Sequence, residues 1–418
     1  MKNKINLVFR NQGLLFLFLL AISACGEKKS PFLHLKNPLS VSRENEGIVL
    51  TKQQVEKITG KIDEGKIPLL KSEKGDTIPY QLDDLDQNGL WDELAFEVNM
   101  AAEEELKIAI DLIDEKKAPS FPQMTNVRLG IGKQDKKKVI DTKSYKRTID
   151  LRKDSTIFIQ MEGPAWENDK VTFRIYFDPR NGIDIFGKTT AELVMDKVGL
   201  GDNYHALADW GMDILKVGNS LGAGSIALME ENQLIRLGET KSTSFDIIAE
   251  GPVRAILRLT FEGWQVGEES LKVTQTISIW KGHYYYKNQV KISGFKGEKA
   301  LVSGIVNLHS DSSDYAINEK YVSLLTFDKQ SENKDYLGMA LLTGKEYFKS
   351  FGQTSEKDSL ITDTYYMQMK IKEDKVSEYY FFAGWEKSSD DFKNLKSFQT
   401  SVDNACQRLF NPVIMDVK

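Results

Sequence analysis

The stretch Val171-Thr172-Phe173-Arg174-Ile175-Tyr176-Phe177-Asp178, followed by Pro179-Arg180-Asn181-Gly182, decides how the rest of the sequence is interpreted. Apolar side chains occupy every second position and alternate with polar or amphipathic ones, which is the period of a β-strand. The Pro179 and Asn181-Gly182 positions carry typical turn residues. The stretch therefore predicts a strand that ends in a tight turn and buries one of its faces.

The same pattern recurs further along the chain. Residues 253–261, 271–280, 284–292 and 301–309 each predict a strand, with turn residues between them and no strand–helix–strand rhythm. Such a chain forms stacked antiparallel sheets, so the expected fold class is all-β. A helical pattern follows only near the end, at about residues 389–410, with two aspartates in its first turn.

Composition excludes several classes of protein. The 418 residues include 41% hydrophobic and 10% aromatic residues, which is enough apolar material for a core and argues against disorder. With 56 Lys and Arg against 61 Asp and Glu, the net charge of −5 argues against a nucleic-acid partner. Two cysteines cannot form a disulfide framework.

The N-terminus predicts a targeting segment. Lys2, Lys4 and Arg10 precede an apolar run from Leu14 to Ala24, which is shorter than the ~20 residues of a membrane-spanning helix. The run ends in Ile-Ser-Ala before Cys25, as in a bacterial lipobox. We expect residues 1–24 to be a lipoprotein signal peptide, Cys25 to carry the lipid, and residues 25–30 to be a tether. The alternative is an ordinary secretory peptide with a chance cysteine.

We expect that lipid to be the protein's sole attachment to a membrane, with its body in water on the periplasmic side. The remaining chain divides into residues 31–150, a first unit of short strands with a helical turn near residues 53–58, and residues 151–418, the succession of longer strands.

Several predicted strands carry polar side chains on one face. Arg174 and Tyr176 share one such face, and Tyr285, Lys287 and Gln289 share another. A wet sheet face suits a sugar, although an outer face that is merely exposed to solvent gives the same pattern. Alternation does not decide which way Asn307 and His309 point.

An acidic loop has the spacing of a calcium site. Asp84, Asp86, Asn88 and Asp92 occupy positions 1, 3, 5 and 9, with Gly89 at position 6. Position 12 is alanine where an EF-hand has glutamate, and no helices flank the loop. A structural calcium ion and a plain Asx turn both remain open, and no other cofactor is expected.

Two loops combine aromatic and polar side chains in the way a sugar site does. Trp166 and Glu167 precede the strand of Arg174, and Trp166 is either a stacking surface or a core residue. Residues 201–213 contain Tyr204, His205, Asp209 and Trp210. His205 has a side chain suited to act as a base near neutral pH, although a lone histidine is often structural.

Other catalytic or metal-binding motifs are missing from the sequence. His205, His283 and His309 have no spacing typical of a metal site, and no nucleophile elbow or dinucleotide fingerprint is present.

Five features of the sequence belong together: the lipobox, the acidic loop 83–94, Gly163-Pro164, Asp209-Trp210-Gly211-Met212-Asp213 and Glu250-Gly251-Pro252-Val253-Arg254. As a set they resemble a family of Bacteroidetes lipoproteins. This family was once labelled only as a domain of unknown function. It belongs to polysaccharide-utilisation loci and is similar to an oligosaccharide dehydratase that acts on ulvan fragments. The resemblance implies a galactose-mutarotase-like β-supersandwich behind a small β-sandwich, and an acidic oligosaccharide as substrate.

Chemistry then assigns roles for removing water across C4–C5 of a terminal uronic acid. Arg174 would neutralise the carboxylate, His205 would take the C5 proton, and Tyr176, Tyr285 or His309 would protonate the leaving hydroxyl. Substrate contacts would come from the remaining candidates, Trp166, Glu167, Arg180, Lys188, Tyr204, Asp209 and Trp210. A polysaccharide lyase, a lipid-anchored glycan-binding protein and a mutarotase-like epimerase remain alternatives.

Overall fold

The computed structural model describes residues 32–134, 138–354 and 360–417. The predicted signal peptide, Cys25 and the tether lie outside these residues. No helix in the described part of the chain is long and apolar enough to cross a membrane.

The first part of the chain forms short strands and one helix. In chain order these are β1 (Phe32–Lys36), β2 (Arg43–Thr51), α1 (Lys52–Thr59), β3 (Lys66–Lys71), β4 (Tyr80–Asp83), β5 (Glu93–Met100), β6 (Glu105–Asp114) and a 3-10 turn (Glu115–Lys117).

The later strands are longer. They are β7 (Thr125–Arg128), β8 (Gly130–Lys133), β9 (Val139–Asp141), β10 (Ser144–Arg147), β11 (Ile157–Ile159), β12 (Ala165–Asn168), β13 (Val171–Ile175), β14 (Ile183–Lys188), β15 (Gly211–Asp213), β16 (Ala223–Glu230), β17 (Gln233–Arg236), β18 (Ser242–Ala249), β19 (Arg254–Val266), β20 (Glu269–Trp280), β21 (Tyr285–Ser293), β22 (Lys299–Val306), β23 (Asp314–Ile317), β24 (Tyr321–Asp328), β25 (Leu337–Gly344), β26 (Phe348–Gln353), β27 (Thr364–Ile371) and β28 (Val376–Trp385).

The chain closes with a helix and one further strand, α2 (Leu395–Leu409) and β29 (Ile414–Val417). Short 3-10 turns lie at Leu151–Lys153, Gln160–Glu162 and Asp390–Phe392.

Two small sheets form a sandwich at the start of the chain. One has the order β29-β1-β6-β3 and the other the order β2-β5-β4. Leu35, Leu50 and Phe96 are fully or almost fully buried in the core of this small unit. The helix predicted near residues 53–58 is present as α1, and Thr51 begins it with a capping box to Gln54.

The larger unit is a stack of antiparallel sheets. A nine-stranded sheet has the order β10-β18-β19-β20-β21-β28-β25-β24-β23, and two five-stranded sheets have the orders β15-β14-β13-β12-β7 and β17-β16-β22-β27-β26. Phe173 of β13 packs edge-on against Tyr286 of β21, with ring centroids 4.7 Å apart. The predicted all-β supersandwich is therefore confirmed.

Strand pairing shows where the sheets change. β7 pairs with β12, and β10 pairs with β18, so β7 and β10 already belong to the larger unit's sheets. β29 pairs back onto β1 of the small unit. The change of sheet thus falls between Asp114 and Thr125, earlier than residue 150. The division into one domain of residues 31–150 and another of residues 151–418 stays a prediction.

The C-terminal helix covers part of the nine-stranded sheet. Phe398, Val402 and Cys406 of α2 pack against Phe382 and Leu342. The helix begins at Leu395, later than predicted, because Asp390 and Asp391 lie in a separate 3-10 turn and Asn394 caps α2. Cys406 is fully buried and acts as a small apolar residue.

Candidate active site

Arg174 lies on the face of β13 that points away from the core, as the alternation predicts. The face is nevertheless closed to solvent, because the Arg174 and Thr172 side chains are both fully buried. The expectation of a wet sheet face at Arg174 is therefore wrong.

The irregular segment 189–210 covers this face. The ring of Phe186, on the same face as Arg174, contacts Tyr204 and Trp210, with centroids 5.7 Å and 6.3 Å apart. Glu167 accepts hydrogen bonds from the backbone N–H groups of Val194 and Met195 at 3.1 Å and 2.9 Å. These contacts place Tyr204 and His205 above β13.

Beneath this cover, Arg174 forms an ion pair with Asp184. Its Nη2 donates to Oδ2 of Asp184 at 2.7 Å and lies 3.8 Å from Oδ2 of Asp213. Its Nε and Nη1 atoms are buried and make no hydrogen bond. Buried guanidinium nitrogens normally donate hydrogen bonds, so Nε and Nη1 of Arg174 could donate to a further acceptor.

Tyr176 is stacked between two guanidinium groups. The Cζ atoms of Arg174 and Arg180 each lie 3.8 Å from the centroid of its ring. The Tyr176 hydroxyl also donates to Oδ2 of Asp184 at 3.4 Å. Arg180 is about one-third exposed, so it is the arginine of this pair that solvent can reach.

Two carboxylates share the buried end of the cluster. Burial, followed by repulsion from Asp213, raises the pKa of Asp184 well above its ordinary value, and Arg174 opposes the rise. Burial likewise raises the pKa of Tyr176, so its phenol stays protonated at neutral pH.

His205 is the exposed end of the same network. Its Nδ1 lies 3.2 Å from Oδ2 of Asp213, and its ring lies against that of Tyr204, with centroids 4.3 Å apart. The hydrogen bond to Asp213 raises the pKa of His205 above 6.5, although partial burial opposes the rise. This contact holds the ring through Nδ1 while most of the side chain stays exposed, an arrangement that suits a general base.

Glu162 completes the cluster from a strained turn. Its carboxylate lies 3.7 Å from Nη1 of Arg174 and 3.4 Å from Nη2 of Arg180. Both Met161 and Glu162 have left-handed backbone angles, with φ of 51° and 61°. Two such residues in a row cost on the order of 1–2 kcal/mol each, and strain of this kind concentrates at functional sites.

We call these eight residues the His205 cluster: Glu162, Arg174, Tyr176, Arg180, Asp184, Tyr204, His205 and Asp213. Glu162 and His205 are its exposed members, Arg180 is partly exposed, and Arg174, Asp184 and Asp213 form its buried base.

A family model described as "Domain of unknown function (DUF4861)" matches residues 35–415. The chain belongs to the DUF4861 family. No curated protein matches its sequence.

Solved structures similar to this DUF4861 chain share very little sequence with it. An α-mannosidase from Enterococcus faecalis V583 is 9% identical with a TM-score of 0.46. The alignment covers 93% of this chain and 46% of the α-mannosidase chain. A glycosyl hydrolase family 38 protein from Enterococcus faecalis is 9% identical with a TM-score of 0.41, and 94% of this chain covers 48% of that one. The DUF4861 chain thus spans about half the length of both proteins.

A third similar structure is a Klebsiella pneumoniae protein assigned as an aldose 1-epimerase. It is 6% identical with a TM-score of 0.33, and 68% of this chain covers 96% of that one.

Three residues expected to contact substrate lie inside the DUF4861 fold. Trp166 is fully buried in the core and packs on Phe173 and Tyr286, so no sugar ring can stack on it. Glu167 and Lys188 form a fully buried ion pair, with Nζ and Oε2 3.1 Å apart. This pair holds segment 189–210 in place and has no access to a ligand.

Tyr285 lies on the opposite side of the sandwich from Arg174. Phe173 and Tyr286 face each other in the core, so their chain neighbours Arg174 and Tyr285 point in opposite directions. Tyr285 packs with the residues of α2. It therefore cannot serve as an acid beside His205.

The other candidates are not members of the His205 cluster. His309 lies 3.7 Å from Glu332, whose backbone N–H donates to the carbonyl oxygen of Ile214, the residue after Asp213. The role of His309 as the acid stays a prediction. Asp209 is exposed and lines a separate cavity of about 780 Å³ with Thr189 and Lys387. Trp210 stacks on Phe186 and is half-buried.

Sequence reasoning missed Glu162, Asp184 and Asp213. Asp184 could have been found, because the turn after Asp178 sets a hairpin register in which Asp184 pairs directly with Arg174. No local pattern indicates that Glu162 would meet two arginines.

The acidic loop brings Asp84, Asp86 and Asp92 together, with ligand oxygens within 4.8 Å of one another. The carboxylate of Asp84 also accepts from the backbone N–H groups of Asn88 and Gly89 at 3.1 Å and 2.7 Å. Asn88 turns its amide nitrogen toward Asp86. Three carboxylates suit a calcium ion, which stays a prediction beside the Asx-turn alternative.

Proposed function

We propose that this DUF4861 protein is a carbohydrate-active carbon–oxygen lyase that dehydrates the terminal uronic acid of an acidic oligosaccharide. The observation that carries the proposal is the contact of His205 with Asp213, beside a stacked pair of arginines. A held, exposed base next to a guanidinium is what proton removal beside a carboxylate requires.

The reaction divides among three residues of the His205 cluster. Nε2 of His205 takes the C5 proton, and the electrons of that C–H bond form the C4–C5 double bond. The C4–O bond breaks, and its oxygen leaves as water after receiving a proton. Tyr176 is the proposed donor of that proton, because its phenol is protonated at neutral pH and its ring stacks against Arg180.

Arg180 is proposed to neutralise the substrate carboxylate, the role that the sequence had led us to expect of Arg174. Neutralising the substrate carboxylate makes the C5 proton acidic, and this needs a cation that the substrate can reach. Arg174 is fully buried, whereas Arg180 is partly exposed and held by Asp178. Arg174 instead orients Tyr176 from below.

A polysaccharide lyase would use the same groups to expel a sugar in place of water. A glycan-binding protein would need aromatic and polar contacts but no oriented base. The His205–Asp213 contact therefore favours an enzyme over a binding module.

Mass spectrometry of oligosaccharides that end in a saturated uronate tests the proposal, with ultraviolet absorbance to follow the new double bond. A dehydratase removes one water and leaves the chain length unchanged. Shorter fragments with an unsaturated end would establish a lyase, and unchanged oligosaccharides would reject both enzymes.

We also propose that a lipid on Cys25 anchors the protein, with its body facing the periplasm. Labelling of cells with radioactive palmitate should mark the wild-type chain and not Cys25→Ser. Protease added to intact cells should leave the chain uncut, and cleavage would place it on the cell surface.

A further inference from the structure

A cavity of about 430 Å³ lies between the small unit and the outer face of the nine-stranded sheet. This inter-unit cavity has β19, β20 and β21 as its floor, with Gly47 of β2 and Leu85 of the acidic loop on one side. Arg408 of α2 closes another side. The volume falls in the range of about 300–1000 Å³ that small-molecule sites occupy.

Strand register places the polar floor residues side by side. Thr276 pairs with Gln289 and Ser278 with Lys287 across β20 and β21. Arg258 of β19 pairs with Thr276 and continues the row. This is the face for which the alternation of Tyr285, Lys287 and Gln289 predicted wet side chains, and all three line the cavity.

Two arginines in the cavity wall form no salt bridge within the described residues. Within the described ranges, no carboxylate lies within 4.0 Å of Arg258 or Arg408, whereas Arg254 contacts both Asp83 and Glu93 at 2.6 Å. Nη2 of Arg258 donates only to the backbone oxygen of Leu85, at 3.1 Å. Nε of Arg408 is buried and lacks a hydrogen-bond partner.

A guanidinium group without a salt bridge favours an anionic ligand at a cavity wall, because carboxylates and sulfates match its paired donors. Glu46 also lines this cavity and interacts electrostatically with Arg408, so Arg258 is the cation best placed to meet a ligand. The Thr276 and Ser278 hydroxyls on the floor have no hydrogen bond to the described part of the chain. Tyr285 and Tyr380 add aromatic rings, with centroids 6.0 Å apart in an edge-to-face contact. Hydroxyl partners and rings next to cations fit a charged sugar.

We propose that the inter-unit cavity is a second saccharide site, which binds a sugar residue carrying a carboxylate or a sulfate. It is separate from the His205 cluster, because Arg174 and Tyr285 point away from opposite sides of the core. The site rests on the proposed function only for the expectation that the protein meets uronates.

Calorimetric titration of the full chain with D-glucuronate tests this site, with neutral D-glucose as the comparison sugar. An Arg180→Gln background weakens any binding at the His205 cluster. In that background, adding Arg258→Gln should weaken glucuronate binding at least tenfold, since it removes a charged donor. Adding Lys291→Gln should change nothing, because Lys291 lies on β21 outside the cavity.

Ser278→Leu provides a second variant that fills the cavity floor, and its glucuronate binding should also fall at least tenfold. Equal binding of glucose and glucuronate, or unchanged binding in both cavity variants, would overturn the proposal. Turnover of the uronate-ended oligosaccharide is measured separately, so a protein that binds glucuronate without turnover retains the second site and loses only the proposed reaction.

Discussion

His205 and Asp213 lie at opposite extremes of exposure yet contact each other, with Nδ1 3.2 Å from Oδ2. The histidine side chain is 63% exposed and the aspartate side chain 3%. A buried carboxylate thus fixes a surface imidazole, and the backbone N–H of Asp213 donates to the carbonyl oxygen of Tyr204 at 2.8 Å. The loop and β15 are therefore joined at the candidate base.

Asp213→Asn should shift the pH dependence of turnover. The base works when unprotonated, so activity rises with pH through the pKa of His205, which the Asp213 hydrogen bond raises. Removing the carboxylate lowers this pKa, so the rise in kcat/KM should move to lower pH. His205→Ala should cost about 10²–10⁴-fold in kcat. Asp209→Asn on the same loop serves as the control, and a pH profile that moves equally with both substitutions would contradict the assignment.

Substitutions of the two arginines that sandwich Tyr176 should differ in effect, one acting mainly on stability and the other on activity. Arg174→Met leaves Asp184 without its buried partner and should lower the free energy of unfolding by about 3–5 kcal/mol at neutral pH. Arg180→Gln should cost about 1 kcal/mol or less and raise KM at least tenfold, because its target is the substrate. Urea denaturation and steady-state kinetics measure both effects. A large stability loss in Arg180→Gln with unchanged KM would reverse the roles.

Glu162→Gly should stabilise the protein while reducing turnover. Glycine adopts the left-handed backbone of Glu162 without steric cost, a gain of about 1 kcal/mol, but the exposed carboxylate beside Arg180 is lost. Glu103→Gly is a matched control, since Glu103 is exposed, has φ of 58° and lies in a turn of the small unit. Both variants should melt higher, and only the first should lose activity. Equal activities would remove Glu162 from the site.

Glu97 should make the protein less stable as pH rises. Burial raises the pKa of Glu97 from 4.5 to about 8, although Lys281 lies 2.9 Å away and opposes the rise. The folded state therefore holds a proton that the unfolded state releases more readily. The associated stability is present below pH 4.5 and is lost as pH rises through about 8.

Glu97→Gln removes this dependence, so its urea midpoint should fall less than that of the wild type between pH 5 and 9. Glu103→Gln, at an exposed position, should follow the wild type. Parallel curves for all three proteins would contradict the raised pKa.

Calcium should raise the melting temperature if the acidic loop binds it as predicted. Free calcium at 100 times its Kd stabilises a protein by about 2.7 kcal/mol. EGTA should reverse the increase, and Asp86→Asn should abolish it. Since Gln87 donates to the carbonyl oxygen of Ile247 in the larger unit, the loop also connects the two units. No response to calcium in the wild type would leave the Asx turn as the explanation.

Alternation along the chain was sufficient to predict the all-β fold and the polar face of β21, and a separate helical pattern predicted the C-terminal helix. It was also sufficient to place Arg174 on the side away from the core. It could not predict that the side chain would be buried, because the cover is irregular segment 189–210, whose position depends on long-range contacts such as Glu167 with Met195. His205 was selected from its polar neighbours, and its partner Asp213 was missed.

Trp166 also shows that the sequence alone could not distinguish a buried side chain from one that is open to a ligand. An aromatic residue next to an acid in a loop-like sequence predicts a sugar surface and a core residue equally well, and only packing against Phe173 decides between them. Tyr285 failed as a partner of His205 because alternation gives a face within one strand and not the placement of one sheet against another.

The pairing of β29 with β1 has a consequence for how the chain is made. β1 meets β6 early, but its other edge stays open until Ile414–Val417 has followed the whole larger unit. An open edge of this kind invites pairing with other chains. The small sandwich is thus begun first and completed last during synthesis, with the larger unit made in between. A chain that stops before residue 414 would lack β29 and leave that edge of β1 unpaired.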